Sequence, residues 1–139
     1  MTQFTLYLSA KDSGEIYPDN TSRAFTVQLP KILMLDGTWT CRVKKVQVNT
    51  SKFIHNPLAL YCDFCSETYH YGVDRPVLLD FVLKSEGGWL EYSDYCSDSY
   101  VIVKNNILRI ISFELIGDTE DAVSDIRLQL HFKRELWRA

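Results

Sequence analysis

The sequence predicts an all-β protein, an eight-stranded antiparallel β-sandwich. Apolar and polar residues alternate through most of the 139 residues, turn-forming residues interrupt the alternation repeatedly, and no segment shows a convincing helical period. We count about eight alternating runs, spaced roughly 10 to 20 residues apart, which is typical of a sandwich or a barrel. Two stacked sheets would bury one face of each strand and so accommodate all of them.

The first third of the chain contains the clearest signals. Residues 4–9 alternate strictly and predict a first strand. Tyr17-Pro18-Asp19-Asn20 then predicts a turn, because proline presets φ and the Asp and Asn side chains bond their own backbone. Alternation resumes at Phe25 and is expected to stop at Pro30, which cannot donate to a sheet ladder. Asp36-Gly37 predicts the next turn.

A change of parity marks the next run. Trp39, Cys41 and Val43 lie on one parity and residues 46–48 on the other, so we expect a β-bulge, or a strand that changes sheets, at Lys44-Lys45.

The later strands follow the same logic. Inward sets are expected within residues 58–64 and 77–83, and the cleanest alternation is that of residues 126–132. Asn105-Asn106 predicts a tight hairpin between the runs on either side of it, because Asn tolerates positive φ. Short turns of helix are possible only at 31–35 or 118–124.

Composition excludes several classes. Hydrophobic residues make up 46% of the chain, enough for a core, and no linker or repeat divides it, so residues 1–139 are expected to form one domain. The formal net charge of −3 provides no global basic field, and we predict no nucleic-acid partner. No apolar run approaches the length of a membrane span and no signal peptide is recognisable, so neither membrane insertion nor secretion by that route is expected.

The four cysteines are weak candidates for a metal site. A tetrahedral zinc site needs about four ligands, and Cys62-x2-Cys65 supplies two, with Cys41 and Cys96 elsewhere. In an extended strand the Cys62 and Cys65 side chains would point to opposite faces, and only a turn at residues 63–64 would bring them together. Buried free thiols in a reducing compartment are the favoured interpretation, ahead of zinc or a disulfide, and no cofactor is predicted.

No catalytic constellation is recognisable, and no enzyme is predicted. The acids Asp118, Glu120, Asp121 and Asp125 cluster where a solvated turn is the usual structure, and their spacing does not match a calcium-binding loop. His131 is expected to face outward on the last strand, without a nucleophile motif nearby.

Two segments favour protein contact. Residues 133–139 form a possible C-terminal arm in which Trp137 and Arg138 would anchor on a neighbour, although a tail whose Trp folds back on its own sheet is an equal alternative. Residues 89–100 combine aromatic and acidic side chains, and Trp89, Tyr92 and Tyr95 are candidate contact residues. An ordinary surface loop is the favoured structure there.

Three blocks resemble capsid-type proteins of Polinton/Maverick elements, adintoviruses and adenovirus-like viruses. The first is the opening strand followed by YPDNT, FTVQLP and L-x-G-x-W-x-C. The second is YCDFC with Gly72 and RPVLL after it, and the third is LQLHFK near the end. The resemblance implies a minor capsid (penton-type) protein with a single jelly roll. It also implies architectural roles, with Tyr17, Pro18, Asp19 and Asn20 shaping a loop and Trp39 lying in the core.

The function implied by this resemblance is structural and non-enzymatic. We expect a virion component, assembled inside the host cell, that forms a pentamer or trimer and contacts other capsid proteins. One alternative is a receptor- or glycan-binding module, fibre-head or lectin-like, whose ligand platform the aromatics of residues 89–100 would line. A zinc enzyme at Cys62 and Cys65 is a third hypothesis.

Overall fold

The computed structural model describes residues 2–93 and 100–135, which are all-β. The strands are β1 (Gln3–Ser9), β2 (Ala24–Met34), β3 (Trp39–Thr50), β4 (Ile54–Cys62), β5 (Thr68–His70), β6 (Val73–Arg75), β7 (Val77–Ser85), β8 (Gly88–Ser93), β9 (Val101–Val103), β10 (Ile107–Ile116) and β11 (Val123–Arg134). No helix that is long and apolar enough to cross a membrane occurs in these two ranges.

Two antiparallel sheets form a jelly roll. Sheet A has the order β1-β11-β3-β8, with β9 also pairing on β3, and sheet B has the order β2-β10-β4-β7. From β1 to β4 the chain alternates between the sheets, and from β7 to β11 it alternates again when β8 and β9, both in sheet A, are counted as one strand position. Because β8 and β9 pair with successive parts of one edge of β3, they share a strand position. The predicted eight-stranded antiparallel sandwich is confirmed, with β5 and β6 added as a separate hairpin.

One continuous core fills the space between the sheets, and the predicted alternation supplies it. The inward residues of β11 are all buried, as is the inward set of β4 continued by Phe64. Phe132 stacks on Phe4 with ring centroids 4.7 Å apart and packs on Phe64 at 5.4 Å. Full burial of a ring such as that of Phe132 or Phe64 contributes about 1.5–3 kcal/mol to stability.

The predicted bulge at Lys44-Lys45 is confirmed. Leu130 pairs with Val43 and Gln129 with Lys45, so Lys44 has no partner on β11. The extra residue lets β3 keep Val43 and Val46 buried on the same side although their parity differs.

Pro30 does not end its strand, contrary to prediction. β2 continues to Met34, because it is an edge strand that pairs only with β10. The pairing jumps from Gln28↔Ile110 to Leu33↔Leu108, so Pro30 lies in an irregular stretch where no ladder donor is required.

Three other expectations about local structure are wrong. Asn105-Asn106 does not close a hairpin, because β9 belongs to sheet A and β10 to sheet B. Neither 31–35 nor 118–124 is helical; the first overlaps β2, and the second is a turn that leads into β11. Gly88–Ser93 is a strand on β3 and not a surface loop.

Candidate protein-contact surfaces

Trp89 lies on the outer face of sheet A, where β8 presents it to solvent. Its side chain is 48% exposed, and the Arg127 guanidinium lies 4.4 Å from the ring centroid. A partly exposed Trp that a cation–π contact already orients is suited to contact a partner, because binding then costs little further side-chain conformational entropy.

Tyr92 faces the opposite side of β8 and is used within the molecule. Its hydroxyl accepts the Lys84 N–H at 3.1 Å and donates to the Val82 carbonyl at 3.3 Å, and its ring packs on Phe81. These backbone groups belong to β7, an edge strand of sheet B, and Tyr92 therefore covers part of that edge. Trp89 and Tyr92 therefore do not form one shared platform.

The remaining predicted contact residues, Tyr95, Trp137 and Arg138, lie outside the described residues. The start of the predicted arm belongs to the sheet, because β11 runs to Arg134 and the Glu135 N–H donates to the Thr38 carbonyl at 2.8 Å. The rest of the predicted arm, residues 136–139, lies outside the described residues.

The YPDN segment and Trp39 make hydrogen bonds and packing contacts within the fold. The Asn20 N–H donates to the Tyr17 carbonyl at 3.1 Å, which closes a turn over Pro18 and Asp19. The Asn20 side chain donates to the Thr26 carbonyl at 2.8 Å and accepts the Thr26 N–H at 2.9 Å.

Trp39 is buried against Phe4, and its indole N–H donates to the Asp36 carbonyl at 2.9 Å.

A turn brings Cys62 and Cys65 together. The Cys65 N–H donates to the Cys62 carbonyl at 3.1 Å, and both thiols are free and buried, as is that of Cys41. Burial, and then the neighbouring Cys65 thiol, raise the pKa of Cys62, and burial raises that of Cys41. In the described part of the chain no group of three or more His, Cys, Asp or Glu side chains is arranged to hold a metal.

The other residues considered for chemistry have structural partners. The Asp118 carboxylate accepts the Glu120 N–H at 2.9 Å within the turn before β11, and Glu120 and Asp121 have positive φ. The two ring nitrogens of His131 lie 2.9 Å from the Tyr100 hydroxyl and 3.0 Å from the Gln3 side-chain oxygen. Partial burial, and then the cations Arg42, Lys44 and Lys133, lower the pKa of His131.

A projecting hairpin carries exposed aromatics that the sequence reasoning missed. β5 and β6 are joined by Tyr71-Gly72, whose φ angles of 48° and 91° fit a type I′ turn. Tyr69 and Tyr71 are 74% and 86% exposed. The sequence signal that could have predicted this hairpin is TYHYGVDR, in which aromatic or apolar residues alternate with others around Gly72.

The hairpin is fixed to the outer side of sheet B and borders two grooves. His70 Nδ1 lies 2.8 Å from the Tyr61 hydroxyl, and His70 Nε2 lies 3.6 Å from an Asp80 carboxylate oxygen. Grooves of about 690 and 490 Å³ lie alongside, and both are lined by Tyr61, Arg75 and Ile116. A hairpin with exposed aromatic rings beside grooves is the kind of surface that protein partners bind.

Comparison with known proteins gives similar structures only. No protein-family model and no curated protein matches the chain. The crystal structure of the mavirus penton protein matches with a TM-score of 0.66 at 5% identity, over 96% of this chain and 99% of that one.

Two further structures match less closely. The Drosophila NLP core has a TM-score of 0.40 at 13% identity and covers 96% and 100% of the two chains. The virus-like particle of Macrobrachium rosenbergii extra small virus has a TM-score of 0.35 at 9% identity and covers 97% and 80%. These two likenesses are too low to carry an argument. The first match, with its TM-score of 0.66, does show the fold: this chain and the mavirus penton protein share it over nearly their whole length.

Proposed function

We propose that this chain is a structural protein of a virus particle, a minor capsid or vertex (penton-like) component that acts through self-assembly. The observation that carries the proposal is the match to the mavirus penton protein, which leaves almost no part of either chain outside the shared fold. Fold alone does not give function, and the proposal therefore joins this likeness to the capsid-type sequence blocks. Those blocks favour the Polinton/Maverick, adintovirus and adenovirus-like group.

The mechanism would be assembly by rigid-body contacts. Copies related by rotation meet through different patches on each side, and a ring closes when the rotation closes. The β5–β6 hairpin, with Tyr69 and Tyr71, is our first candidate for a contact with a neighbouring copy or another capsid protein. Trp89 and residues 136–139 are further candidates. A pentamer or a trimer, incorporated into the virion inside the host cell, is the expected product.

Light scattering after size exclusion, over a concentration series, tests the proposal. The unaltered protein is expected to form a closed oligomer. Tyr69→Ser combined with Tyr71→Ser is expected to shift it toward monomer, because two exposed anchors are removed without touching the core. Tyr7→Ser is the matched control, since Tyr7 is 73% exposed but lies on sheet A.

A chain truncated after Glu135 tests the arm separately. Loss of the oligomer on truncation alone would assign the contact to the arm and not to the hairpin. An unaltered protein that stays monomeric at the highest concentration would contradict intrinsic self-assembly.

A further inference from the structure

The outer face of sheet B carries a group of exposed aliphatic side chains at one end. We call this group the aliphatic patch, and its members are Ile32 and Met34 on β2 and Ile107 and Ile110 on β10. Each is between 48% and 64% exposed. Met34 and Ile107 are partners in the strand register, and the next register pair packs on the core, so the patch faces away from the core.

The patch lies where sheet B has narrowed to two strands. The ladder between β10 and β4 covers residues 113–116, whereas residues 107–110 of β10 pair with β2 among the residues that the structure describes. A protein that acts as a monomer rarely leaves several large aliphatic side chains together in water. The patch is therefore a candidate contact surface.

Cations border the patch. Lys31 and Arg109 are exposed and directly adjoin patch residues in the chain, and no acid of the described part of the chain forms an ion pair with either. Two acids lie at the margins. Asp36 follows the end of β2, and Asp63, half-buried, accepts the Ser112 N–H. An apolar surface with unpaired cations suits a partner that is apolar and acidic.

The β5–β6 hairpin has this complementary character. Its exposed rings, Tyr69 and Tyr71, lie beside two exposed acids: Asp74 is the register partner of Tyr69, and Glu67 directly precedes β5. Neither acid forms an ion pair with a cation of the described residues. Arg75 lies on the other face of the hairpin, where it lines the grooves.

The hairpin and the patch of one chain lie far apart. Tyr71, at the tip of the hairpin, lines the same groove as Ile116. Ile107 lies nine residues from Ile116 along β10, a separation of about 30 Å at about 3.4 Å per residue. The two surfaces therefore lie toward opposite ends of β10, as a head-to-tail contact between copies requires.

We propose that the hairpin of one copy docks on the aliphatic patch of the next copy. The inference rests on the self-assembly proposed above and names the two surfaces that meet. The two tyrosine rings pack on the aliphatic side chains, and the acids of the hairpin face Lys31 and Arg109 of the neighbour. Because the two surfaces differ, the contact is heterologous, and its repetition about one axis closes a ring.

Charge reversal on each surface tests the contact. The patch variant is Lys31→Glu with Arg109→Glu, and the hairpin variant is Glu67→Lys with Asp74→Lys. A rescue variant combines all four substitutions, so that opposite charges again face each other with their positions exchanged. Light scattering after size exclusion, over a concentration series at low salt, measures the concentration at which the oligomer dissociates.

The matched control is Lys11→Glu with Lys52→Glu, which changes the net charge as the patch variant does but in exposed loops after β1 and β3. The patch and hairpin variants are each expected to raise the dissociation concentration about tenfold or more, because like charges then oppose each other across the contact. The rescue variant and the control are expected to lie within about threefold of the unaltered protein.

The possible failures are distinguishable. An oligomer that neither reversal weakens would overturn this contact and leave self-assembly in place. Weakening by both reversals without rescue would show that the two surfaces do not meet, and would assign them to other partners. A monomeric unaltered protein would contradict the proposed self-assembly and this contact with it.

Disulfide cross-linking tests the same contact without changing charge. A Cys96→Ser chain with Ile32→Cys and Tyr71→Cys is oxidised with copper–phenanthroline. Cross-linked multimers that a reducing agent dissolves are expected from this chain, because each copy then offers one thiol to each neighbour. Chains with only one of the two new cysteines should give at most traces of dimer, and equal cross-linking in all three chains would overturn the proposal.

Discussion

The loop from β10 to β11 leaves sheet B at Gly117. A methyl group added there tests how closely this loop packs against β4. The φ of Gly117 is +122°, a conformation that L-residues rarely adopt. A Cβ would lie 2.6 Å from the Leu58 Cδ2 and 2.7 Å from the Pro57 carbonyl oxygen. The leucine can rotate away, but the carbonyl oxygen belongs to the backbone of β4, so β4 or the loop must move.

Two contributions set the size of the effect of Gly117→Ala. The strained φ costs about 1–3 kcal/mol of unfolding free energy, and overpacking against β4 costs about 1–3 kcal/mol more. Gly87→Ala isolates the first contribution, because Gly87 has a φ of +115° and nothing lies within 4 Å of its added Cβ. We expect losses of about 4 kcal/mol for Gly117→Ala and about 2 kcal/mol for Gly87→Ala.

Urea denaturation followed by tryptophan fluorescence measures both losses, and thermal melts provide a check. The gap of about 2 kcal/mol corresponds to roughly 6–10 °C in Tm for a domain of this size. Equal destabilisation by the two substitutions would refute the close approach of the loop to Pro57 and Leu58. A more stable Gly117→Ala variant would refute the positive φ as well.

Three further predictions concern individual side chains. Asn20→Ala removes both hydrogen bonds to Thr26 and should cost about 1–3 kcal/mol in urea denaturation, whereas the neighbouring Asp19→Ala should change stability by less than about 0.5 kcal/mol; similar losses would contradict the role of the Asn20 side chain. Burial raises the pKa of Asp63, so the native state binds that proton more tightly than the unfolded state and stability falls as the pH rises above about 3.8. Asp63→Asn, which can still accept the Ser112 N–H, should therefore gain stability relative to the unaltered protein between pH 3.5 and 7, and a relative loss would reverse the sign. In a Cys96→Ser chain, Cys41, Cys62 and Cys65 should resist a thiol reagent in the native state and react in guanidinium, because they are buried and burial raises the pKa of Cys41 and Cys62; fast native labelling would contradict the burial.

The fold could be predicted where side-chain period and burial agree. β11 alternates without interruption and is buried on one face, and the parity change in β3 located the bulge at Lys44. Pro30 was misjudged because the rule against proline in a ladder holds only where a donor is needed, and whether β2 lies at an edge depends on the whole topology.

The candidate surfaces were harder to predict, because they depend on register. The strand β8 is short, and its acidic and aromatic residues do not distinguish a strand from a loop until β3 is beside it. Tyr61 and Asp80 are far apart in sequence, and the pairing of β4 with β7 places both beside His70 of the β5–β6 hairpin.

Self-assembly into a closed ring is the central proposal, and native mass spectrometry of the purified protein tests it most directly by counting copies. We expect one dominant stoichiometry, five or three copies, that persists on dilution into the low micromolar range. A spectrum of monomers alone, or an open-ended series without a preferred number of copies, would contradict ring closure and with it the proposed vertex role.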